Sequence, residues 1–342
     1  MLALVSALYA SVMRVRNHAY DCGIARSTRL PIPVISVGNI TAGGTGKTPI
    51  VEYILSLQPS ARPVVLSRGY RRDSRGTLVV SDGQGNIVDA AAGGDEPVQI
   101  AGNAPTVPVI VDAKRRRAAQ LALRRFNADL LVLDDAFQHR ALRRDLDIVV
   151  YDASVPPSRQ RMLPRGRLRE SLEGLRRATV LLLTRCRDRE HAAAIEQELR
   201  AFTEAPMFAT QFLPVETRTL SGDAMPSAEL NGQQVGAFCG IGNPVSFAHT
   251  LELMGTRVQW MEEFPDHHRY TETEVVALLR RAEDSGVRAL LTTEKDAMRL
   301  RLLPAAEHSI PVVYPKMALR FLEGEKDFVA MLRACVRDRR LH

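Results

Sequence analysis

The stretch VISVGNITAGGTGKTP, residues 34–49, is an apolar run that breaks into a glycine-rich loop. The loop ends in Lys47 and Thr48, and Pro49 opens a segment with helical spacing of apolar residues. Glycines let the backbone turn its N–H groups toward an anion, and the positive N-terminal end of the next helix attracts the same anion. A strand, such a loop and a helix, in that order, support a phosphate-binding loop. The sequence therefore predicts a nucleotide phosphate site.

The residues of this predicted site are Thr41, Ala42, Gly43, Gly44, Thr45, Gly46, Lys47 and Thr48. In such a loop the lysine reaches the outer phosphates and the Thr48 hydroxyl takes a Mg²⁺ ion. Thr41 stands where the full G-x-x-x-x-G-K-[ST] motif has its first glycine, so only the second half of the motif matches. A glycine-rich turn without a ligand is the alternative interpretation.

Length and composition limit the possible classes of protein. The chain has 342 residues, enough for two domains, and its 45% hydrophobic and 25% charged content is typical of a soluble globular protein. The net charge of +7 allows an anionic partner, which could be nucleic acid, an acidic lipid surface or a phosphorylated substrate. Cysteines without a C-x-x-C pair argue against a disulfide framework or a zinc site and fit a reducing cytosol. They are Cys22, Cys186, Cys239 and Cys335.

Apolar runs alternate with helical patterns along most of the chain. This alternation predicts an α/β fold that is P-loop NTPase-like, with a mostly parallel sheet and helices on both faces. After the loop, strands are expected within residues 62–70, 106–111, 128–140, 146–153 and 178–185. Turn-forming residues then predict a division into a P-loop domain over 21–209, a linker over 210–232, and a smaller C-terminal α/β domain over 233–342.

Residues 1–20, MLALVSALYASVMRVRNHAY, predict an N-terminal amphipathic helix, because apolar side chains recur at spacings of four and three. Arg14 and Arg16 follow the apolar part, whereas a secretory signal carries its positive charge first. The segment is too short to cross a bilayer, which takes about 20 apolar residues. Two interpretations stay open: a helix packed on the domain core, or a helix in a membrane interface with both arginines on lipid headgroups.

A second motif, ADLLVLDDAFQHR at residues 128–140, is an apolar run that ends in two carboxylates. This is the form of a Walker B strand, which delivers acids to the edge of a parallel sheet. Asp134 and Asp135 are therefore candidate ligands of Mg²⁺, directly or through its waters. Gln138 and His139 follow closely enough to face the same site. The alternative is that both acids are only turn residues at the end of a strand.

Phosphoryl transfer also needs a group that accepts the proton of the attacking hydroxyl. Asp95, in GGDEP at residues 93–97, is either that group or only a cap of the helix that follows. The segment FPDHHRY at residues 264–270 places His267 and His268 directly after Asp266. A histidine beside a carboxylate is typical of an acid–base or orienting pair.

Three further stretches are polar or glycine-rich. TTEKDAMRL at residues 292–300 ends a predicted strand, where α/β folds place ligands. CGIGNP at 239–244 is interpreted as a structural turn. Residues 159–189 hold ten arginines against three acids and include LPRGRLRESL. A solvated basic face is the usual explanation of such a bias, and an anion-binding surface is the alternative.

Seven motifs in a fixed order carry a resemblance: GNITAGGTGKTP, SRGY, GGDEP, DDAFQHR, LPRGRLRE, FPDHHRY and TTEKDA. Nearly end to end, the chain resembles the tetraacyldisaccharide 4′-kinase family of lipid A biosynthesis, in which the loop also lacks its first glycine. The resemblance implies ATP and Mg²⁺, an acceptor that is a tetraacylated glucosamine disaccharide 1-phosphate, and lipid IVA as product. It also implies a peripheral protein on the cytoplasmic face of the inner membrane.

The resemblance also implies roles for single residues. Lys47 and Thr48 serve the phosphates and the metal, and Asp134 and Asp135 serve Mg²⁺. It makes Asp95 the catalytic base on the acceptor hydroxyl, supported by His267 from the second domain. It makes Arg165, Arg167 and Arg169 candidates for contacts with the transition state or the acceptor phosphate. Further candidates for substrate contacts are Arg68, Gln138 and His139.

Two rival functions start from the same loop. Regulatory or metallochaperone NTPases also contain GGxGKT, but those of the dimeric type have a lysine where this chain has Ala42. A nucleic-acid-binding ATPase would explain the arginines, yet it would place stacking aromatic residues among them, and residues 159–189 contain none. The partners we expect are therefore a lipid disaccharide and an anionic membrane surface, and no nucleic acid.

Overall fold

The computed structural model of the chain describes residues 2–58, 60–300 and 310–338. The predicted segments 1–20 and 233–342 therefore lie partly outside the described residues, at Met1, 301–309 and 339–342.

In the first part of the chain, the described residues form seven strands and six α-helices. The strands are β1 (Val34–Asn39), β2 (Pro63–Ser67), β3 (Leu78–Ser81), β4 (Val109–Val111), β5 (Leu130–Asp134), β6 (Leu146–Asp152) and β7 (Val180–Thr184). The helices are α1 (Leu2–Asp21), α2 (Lys47–Ser56), α3 (Ala90–Gly93), α4 (Asp95–Asn103), α5 (Arg115–Phe126) and α6 (Arg189–Leu199). Two short 3₁₀ helices lie between β6 and β7, at Pro157–Arg159 and Leu172–Arg177.

The second part begins with a long strand and continues as a shorter α/β alternation. Its strands are β8 (Met207–Thr219), β9 (Ala224–Met225), β10 (Gln234–Cys239), β11 (Arg257–Glu263), β12 (Ala289–Leu291) and β13 (Val312–Phe321). Its helices are α7 (Pro244–Leu253), α8 (Glu272–Asp284), α9 (Glu294–Leu300) and α10 (Glu325–Asp338), and a 3₁₀ helix covers Ser227–Leu230.

Within the described ranges these strands form one sheet in the order β11-β10-β12-β13-β8-β7-β6-β1-β5-β2-β4-β3, with β9 attached to β8. Neighbouring strands are parallel except β3 with β4, β13 with β8 and β8 with β9. We call β1–β7 with their helices the larger half and β10–β13 with α7–α9 the smaller half. The predicted α/β fold with a mostly parallel sheet is confirmed.

Helices cover both faces of the larger half because its strands are apolar on both faces. In β1, Ile35 and Val37 pack into one hydrophobic core with α2 and α4, whereas Val34 packs into another with α5. Successive side chains of a strand point to opposite faces, so an unbroken apolar run has to be buried on both. The sheet is therefore the middle layer of three.

Strand β8 belongs to both halves. Its start, Met207–Ala209, pairs with β7 in parallel, and the continuation from Thr210 to Thr219 pairs with β13 in antiparallel. The segment 210–232, expected as a turn-rich linker, thus begins with ten residues of strand. The prediction was wrong there because the turn formers of this segment lie mainly after residue 219.

The C-terminal helix α10 returns to the larger half. Phe328, Leu332 and Val336 of this helix lie in the same core as Ile50 and Ile54 of α2. The segment 233–342 therefore does not form one separate packing unit, since its last described helix completes the core of the larger half. A two-domain division of the chain stays a proposal, with α10 counted in the larger half.

The N-terminal helix α1 lies on the segment that follows β6. Ser6 Oγ donates to the carbonyl of Met162 at 3.0 Å, Tyr9 O–H donates to the carbonyl of Arg169 at 2.8 Å, and the amide of Asn17 donates to Glu170 at 2.8 Å. None of the helices in the described part of the chain is long and apolar enough to span a membrane.

Candidate active site

The sheet brings the predicted motifs to one edge. The loop 40–46 follows β1, Ser67 ends β2 and Asp134 ends β5, and these three strands are parallel neighbours. Parallel strands end at the same edge, which is where α/β folds bind ligands. The predicted phosphate loop and the predicted Walker B acids therefore lie side by side.

Arginines clamp the backbone of the phosphate loop. Arg167 Nε donates to the carbonyl of Ala42 at 2.9 Å, and Arg185 Nη2 donates to the carbonyl of Gly44 at 2.9 Å. Arg185 is held in turn by an ion pair with Asp152 at the end of β6. Because arginine side chains donate hydrogen bonds to these carbonyl oxygens, the backbone of the loop is held in one conformation. Its N–H groups are then free to bind a phosphate.

Two glycines of the loop are required by their conformation and surroundings. Gly43 has φ 101° and Gly46 has φ 84°, a region that other residues rarely adopt. A Cβ atom on Gly43 would lie 1.9 Å from Nη2 of Arg167, and one on Gly46 would lie 2.3 Å from the ring of Phe212. The glycine pattern of the sequence therefore reflects both backbone geometry and close packing.

Lys47, the first residue of α2, is buried and directed at the Walker B acids. Its Nζ lies 3.4 Å from Oδ1 of Asp135, and Arg169 Nη1 contacts both oxygens of the same carboxylate at 2.9 and 3.0 Å. Burial of Asp135 alone would raise its pKa, but the two cations outweigh burial and lower the pKa to about 2. Asp135 is therefore a charged carboxylate shared by two cations.

Asp134 has a different environment. It is fully buried, and its Oδ2 accepts a hydrogen bond from Ser67 Oγ at 2.8 Å. Its Oδ1 has no hydrogen-bond partner within the described ranges. Burial, followed by the nearby charges of Glu96 and Asp135, raises the pKa of Asp134 to about 7. A cation at Oδ1 would relieve both the missing contact and the repulsion, so this acid fits a Mg²⁺ site.

No group of three or more acidic, histidine or cysteine side chains that could hold a metal is found in the described residues. A P-loop site does not need one, because its Mg²⁺ is held by the loop hydroxyl, a Walker B acid and phosphate oxygens. Thr48, which supplies that hydroxyl, is buried in the second position of α2. The residues present therefore fit a metal that binds together with a nucleotide.

Asp95 and His267 meet across the two halves. The Nδ1 atom of His267 lies 2.7 Å from Oδ2 of Asp95, and Arg299 Nη2 donates to the same oxygen at 2.6 Å. Burial would raise the pKa of Asp95, but the hydrogen bonds from His267 and Arg299 outweigh it and hold the pKa well below its usual range. Asp95 is the first residue of α4 and its side chain does not cap that helix. The cap interpretation of Asp95 is therefore wrong.

The smaller half holds His267 in place through its backbone and its neighbours. The N–H of His267 donates to the carbonyl of Gly240 at 3.0 Å, and Lys295 Nζ lies 3.5 Å from Nε2 of His267. Gly240 belongs to the CGIGNP turn, which thus borders the site. The adjacent His268 points elsewhere, with its Nε2 3.1 Å from the carboxylate of Glu274.

The other predicted contact residues divide by exposure. Arg68 and Arg165 are exposed, whereas Gln138 donates from Nε2 to the carbonyl of Asn39 at 2.8 Å. The Nε2 of His139 is buried without a partner in the described residues, and burial followed by the charge of Arg115 lowers the pKa of His139 to about 4. His139 is therefore a neutral imidazole at neutral pH.

Several residues of this site were not predicted from sequence. Arg299 is the next-to-last residue of TTEKDAMRL, but nothing local indicates its contact with Asp95, which lies 204 residues earlier. Arg185 was counted only as part of the arginine-rich stretch. Thr41 is buried, with its backbone bridged to Leu168, and its contact with the nucleotide stays a prediction.

Arg16 corrects one expectation for the N-terminal helix. Its Nη2 donates to the carbonyl of Gln138 at 2.5 Å, so this arginine faces the protein and not a lipid headgroup. Arg14 is exposed.

Known proteins match this chain along nearly its whole length. The profile of the family described as tetraacyldisaccharide-1-P 4′-kinase matches residues 1–337. The tetraacyldisaccharide 4′-kinase of Chlorobium limicola is 39% identical over 98% of this chain and 97% of its own length. The protein of the same name from Anaeromyxobacter sp. (strain K) is 38% identical over 98% of this chain and 90% of its own length.

A solved structure has the same fold. LpxK from Aquifex aeolicus, an "apo" form crystallised in complex with ATP, superposes with a TM-score of 0.80, at 33% identity over 98% of both chains. These matches are to kinases and give no support to a regulatory or metallochaperone NTPase. The resemblance stated from the motifs is confirmed, and the chain belongs to the tetraacyldisaccharide-1-P 4′-kinase family.

Proposed function

We propose that this chain transfers the γ-phosphate of ATP to the 4′-hydroxyl of a tetraacyldisaccharide 1-phosphate and so produces lipid IVA. The single observation that carries this proposal is the Asp95–His267 pair, 2.7 Å across the two halves. It places a carboxylate at the start of α4, close enough to the Walker B acids for Glu96 to act on the pKa of Asp134. An acceptor alcohol must meet the γ-phosphate in that region.

The loop and Lys47 bind the phosphates of ATP. When the nucleotide enters, Lys47 moves from Asp135 to the phosphates. Asp135 keeps its ion pair with Arg169, whose Nη1 lies 2.9 Å from Oδ1 of Asp135. Thr48, Asp134 and Asp135 are the residues that would hold Mg²⁺, and the ion would supply positive charge that neutralises the phosphate oxygens. The Oδ1 atom of Asp134, which has no hydrogen-bond partner among the described residues, supports this assignment.

Asp95 accepts the proton of the acceptor hydroxyl. Its contacts with His267 and Arg299 both fall on Oδ2, which leaves Oδ1 to face the substrate. As the acceptor oxygen forms its bond to phosphorus, the bond from phosphorus to the leaving ADP oxygen breaks and the hydroxyl proton passes to Asp95. A carboxylate with a low pKa suits this step, because the hydroxyl becomes acidic only once its bond to phosphorus forms.

Exposed arginines receive the charged parts of the acceptor. Arg68 follows β2 and Arg165 lies in the LPRGRLRE loop, and both side chains are exposed. Arg167 and Arg169 are already engaged with Ala42 and Asp135. We therefore assign Arg68 and Arg165 to acceptor contacts and the engaged pair to holding the loop and the metal acid.

The protein works at the surface of a membrane. The face of α1 away from the larger half exposes Leu4, Leu8, Val12 and Val15, which are 58–77% exposed. Apolar side chains in a line on an exposed helix face are typical of a helix that lies in a lipid interface. The acyl chains of the acceptor can stay in the bilayer while its sugar reaches the site. We place the chain on the cytoplasmic face of the inner membrane, where ATP is available.

The test is transfer of label from γ-labelled ATP to the lipid disaccharide in detergent–lipid micelles. We expect labelled lipid with the unaltered chain and about 10²–10⁴-fold less with Asp95→Asn, at nearly unchanged ATP affinity. Asp73→Asn is the matched control, because Asp73 is an exposed carboxylate that also pairs across the halves, with Arg269. Label that appears only as inorganic phosphate, or wild-type turnover by Asp95→Asn, would contradict the proposal.

A further inference from the structure

We propose that Arg299 is the positioning residue that fixes the Asp95 carboxylate for the acceptor hydroxyl. This inference rests on the proposed function of Asp95 as the base. Arg299 lies at the end of α9 in the smaller half, yet its Nη2 donates to Oδ2 of Asp95 in the larger half at 2.6 Å. Its side chain is only 7% exposed. A buried guanidinium is retained only where its donors are satisfied, so this contact is a built feature of the site.

The smaller half holds the guanidinium firmly. Arg299 Nη1 donates to Oδ1 of Asp296 at 2.6 Å and to the carbonyl of Gly240 at 3.2 Å. Asp296 is fully buried, and its Oδ2 accepts from the N–H of Gly240 at 3.0 Å and from Thr293 Oγ1 at 2.6 Å. These contacts restrict rotation of the guanidinium plane. The smaller half therefore fixes the direction of Nη2 independently of its contact with Asp95.

Two donors on one oxygen determine how the Asp95 carboxylate is turned. His267 and Arg299 both contact Oδ2, and they come from different elements of the smaller half. A single donor would let the carboxylate rotate about that contact. The second donor stops this rotation and keeps Oδ1 directed at the substrate. A displacement of about 1 Å in a reacting group costs roughly 10²-fold in rate.

The charge of Arg299 has a separate effect. Asp95 is largely buried, and burial favours the neutral acid, which cannot accept a proton. The guanidinium at 2.6 Å favours the charged form. The other titratable or charged groups around the Asp95–His267 pair are Glu96, Lys295, Asp296, Asp266, Arg269 and Tyr70. Among them Lys295 and Arg269 also add positive charge, but Glu96 lies 3.6 Å from Lys295 and Asp73 lies 2.6 Å from Arg269, and these acids offset them.

The test compares Arg299→Met and Arg299→Lys with Arg269→Met. Arg269 is the matched control because it forms an exposed ion pair with Asp73 across the same two halves. For Arg299→Met we expect kcat to fall about 10²-fold with little change in the KM for ATP. We also expect the acid limb of the kcat–pH profile to move up by at least about one pH unit, since the charge that keeps Asp95 ionised is gone.

Arg299→Lys keeps the charge but loses the two-pronged geometry. It should therefore lower kcat while its acid limb stays near that of the wild type. An unshifted acid limb in Arg299→Met, or equal effects of Arg299→Met and Arg269→Met, would overturn the proposal. If thermal melting shows that Arg299→Met does not fold, Arg299→Lys becomes the test of the proposal. A wild-type kcat in Arg299→Lys would then overturn it.

Asp95→Asn separates this inference from the proposed function. Wild-type turnover in Asp95→Asn would remove Asp95 from the chemistry and end both proposals. An inactive Asp95→Asn together with a wild-type pH profile in Arg299→Met would end only the positioning role of Arg299.

Discussion

Adjacent acids at the end of β5 differ in charge because their surroundings differ. Asp135 touches Lys47 and Arg169, and these cations hold its pKa at about 2 against the effect of burial. Asp134 is buried and accepts a hydrogen bond from Ser67, and burial raises its pKa to about 7. Neighbouring acids whose pKa values are pushed apart are suited to different tasks. Asp135 is suited to neutralising the charges of Lys47 and Arg169, and Asp134 is suited to binding a cation that arrives with ATP.

Replacement of single loop glycines tests the geometry of the phosphate site. Gly43→Ala should lower the melting temperature of the nucleotide-free chain by a few degrees. Its φ of 101° costs a non-glycine residue about 1–2 kcal/mol, and the new Cβ would displace Arg167. Gly44→Ala should leave the melting temperature nearly unchanged, because a Cβ there meets nothing within 4 Å. Equal melting temperatures for the two variants would contradict this account.

At the scale of elements, the helix α1 has two different faces. One face donates hydrogen bonds to the segment after β6, through Ser6, Tyr9 and Asn17. The other exposes a line of apolar side chains, including Leu8 at 66% and Val12 at 58%. The helix thus packs on the larger half through one face, and the membrane-interface interpretation stays a proposal for the other. Polar contacts fix its position on the larger half, and that position leaves its apolar face uncovered.

Binding to lipid vesicles tests the exposed face of α1. The double change Leu8→Gln and Val12→Gln should reduce co-sedimentation with anionic phospholipid vesicles by at least about tenfold, since each apolar side chain that enters lipid contributes about 1.5–3 kcal/mol. The matched control is Val245→Gln with Leu253→Gln on α7, which are also exposed, at 76% and 48%. Equal losses for the two double variants, or none for the first, would assign membrane binding to another surface.

At the scale of the whole molecule, the halves also meet at a buried cluster of polar groups. Asn103 donates to Glu52 of α2 at 2.8 Å and to Glu294 of α9 at 2.9 Å. Lys316 of β13 donates to Glu294 at 2.7 Å. Burial, followed by the charge of Glu294, raises the pKa of Glu52 to about 7. Two carboxylates with one nearby lysine therefore make this contact between the halves sensitive to pH.

Stability should depend on pH through Glu52. Its folded form holds a proton that the unfolded chain releases above about pH 4.5, so stability falls as the pH rises from about 4.5 to 7 and stays lower above 7. The cost at pH 8 is at most about 3 kcal/mol. Glu52→Gln removes the titration, and its melting temperature relative to the wild type should therefore rise between pH 5 and pH 8.

The control for this prediction is Glu323→Gln, since Glu323 is 62% exposed and pairs only loosely with Arg189, at 3.5 Å. Its melting temperature relative to the wild type should be the same at both pH values. A constant difference for Glu52→Gln over this range would show that Glu52 keeps an ordinary pKa in the folded chain.

Local sequence was sufficient to predict candidate site residues wherever they lie in one contiguous stretch of the chain. The loop at residues 41–48 and the acids Asp134 and Asp135 could be predicted because each follows a strand directly, and parallel strands bring their ends to one edge. The alternation of apolar and helical patterns determined the mostly parallel sheet for the same local reason.

Only the tertiary structure decided the contacts between distant parts of the chain. Arg299 reaches Asp95 from 204 residues away, and α10 fills a core built by α2. Strand β8 is long because it pairs with β7 at one end and β13 at the other. Such pairings depend on where whole elements pack. The periodicity or spacing of residues in one segment does not indicate which distant segment it will contact. The sequence thus determined the two motifs of the proposed nucleotide site, and packing of the two halves decided which side chains surround the proposed base.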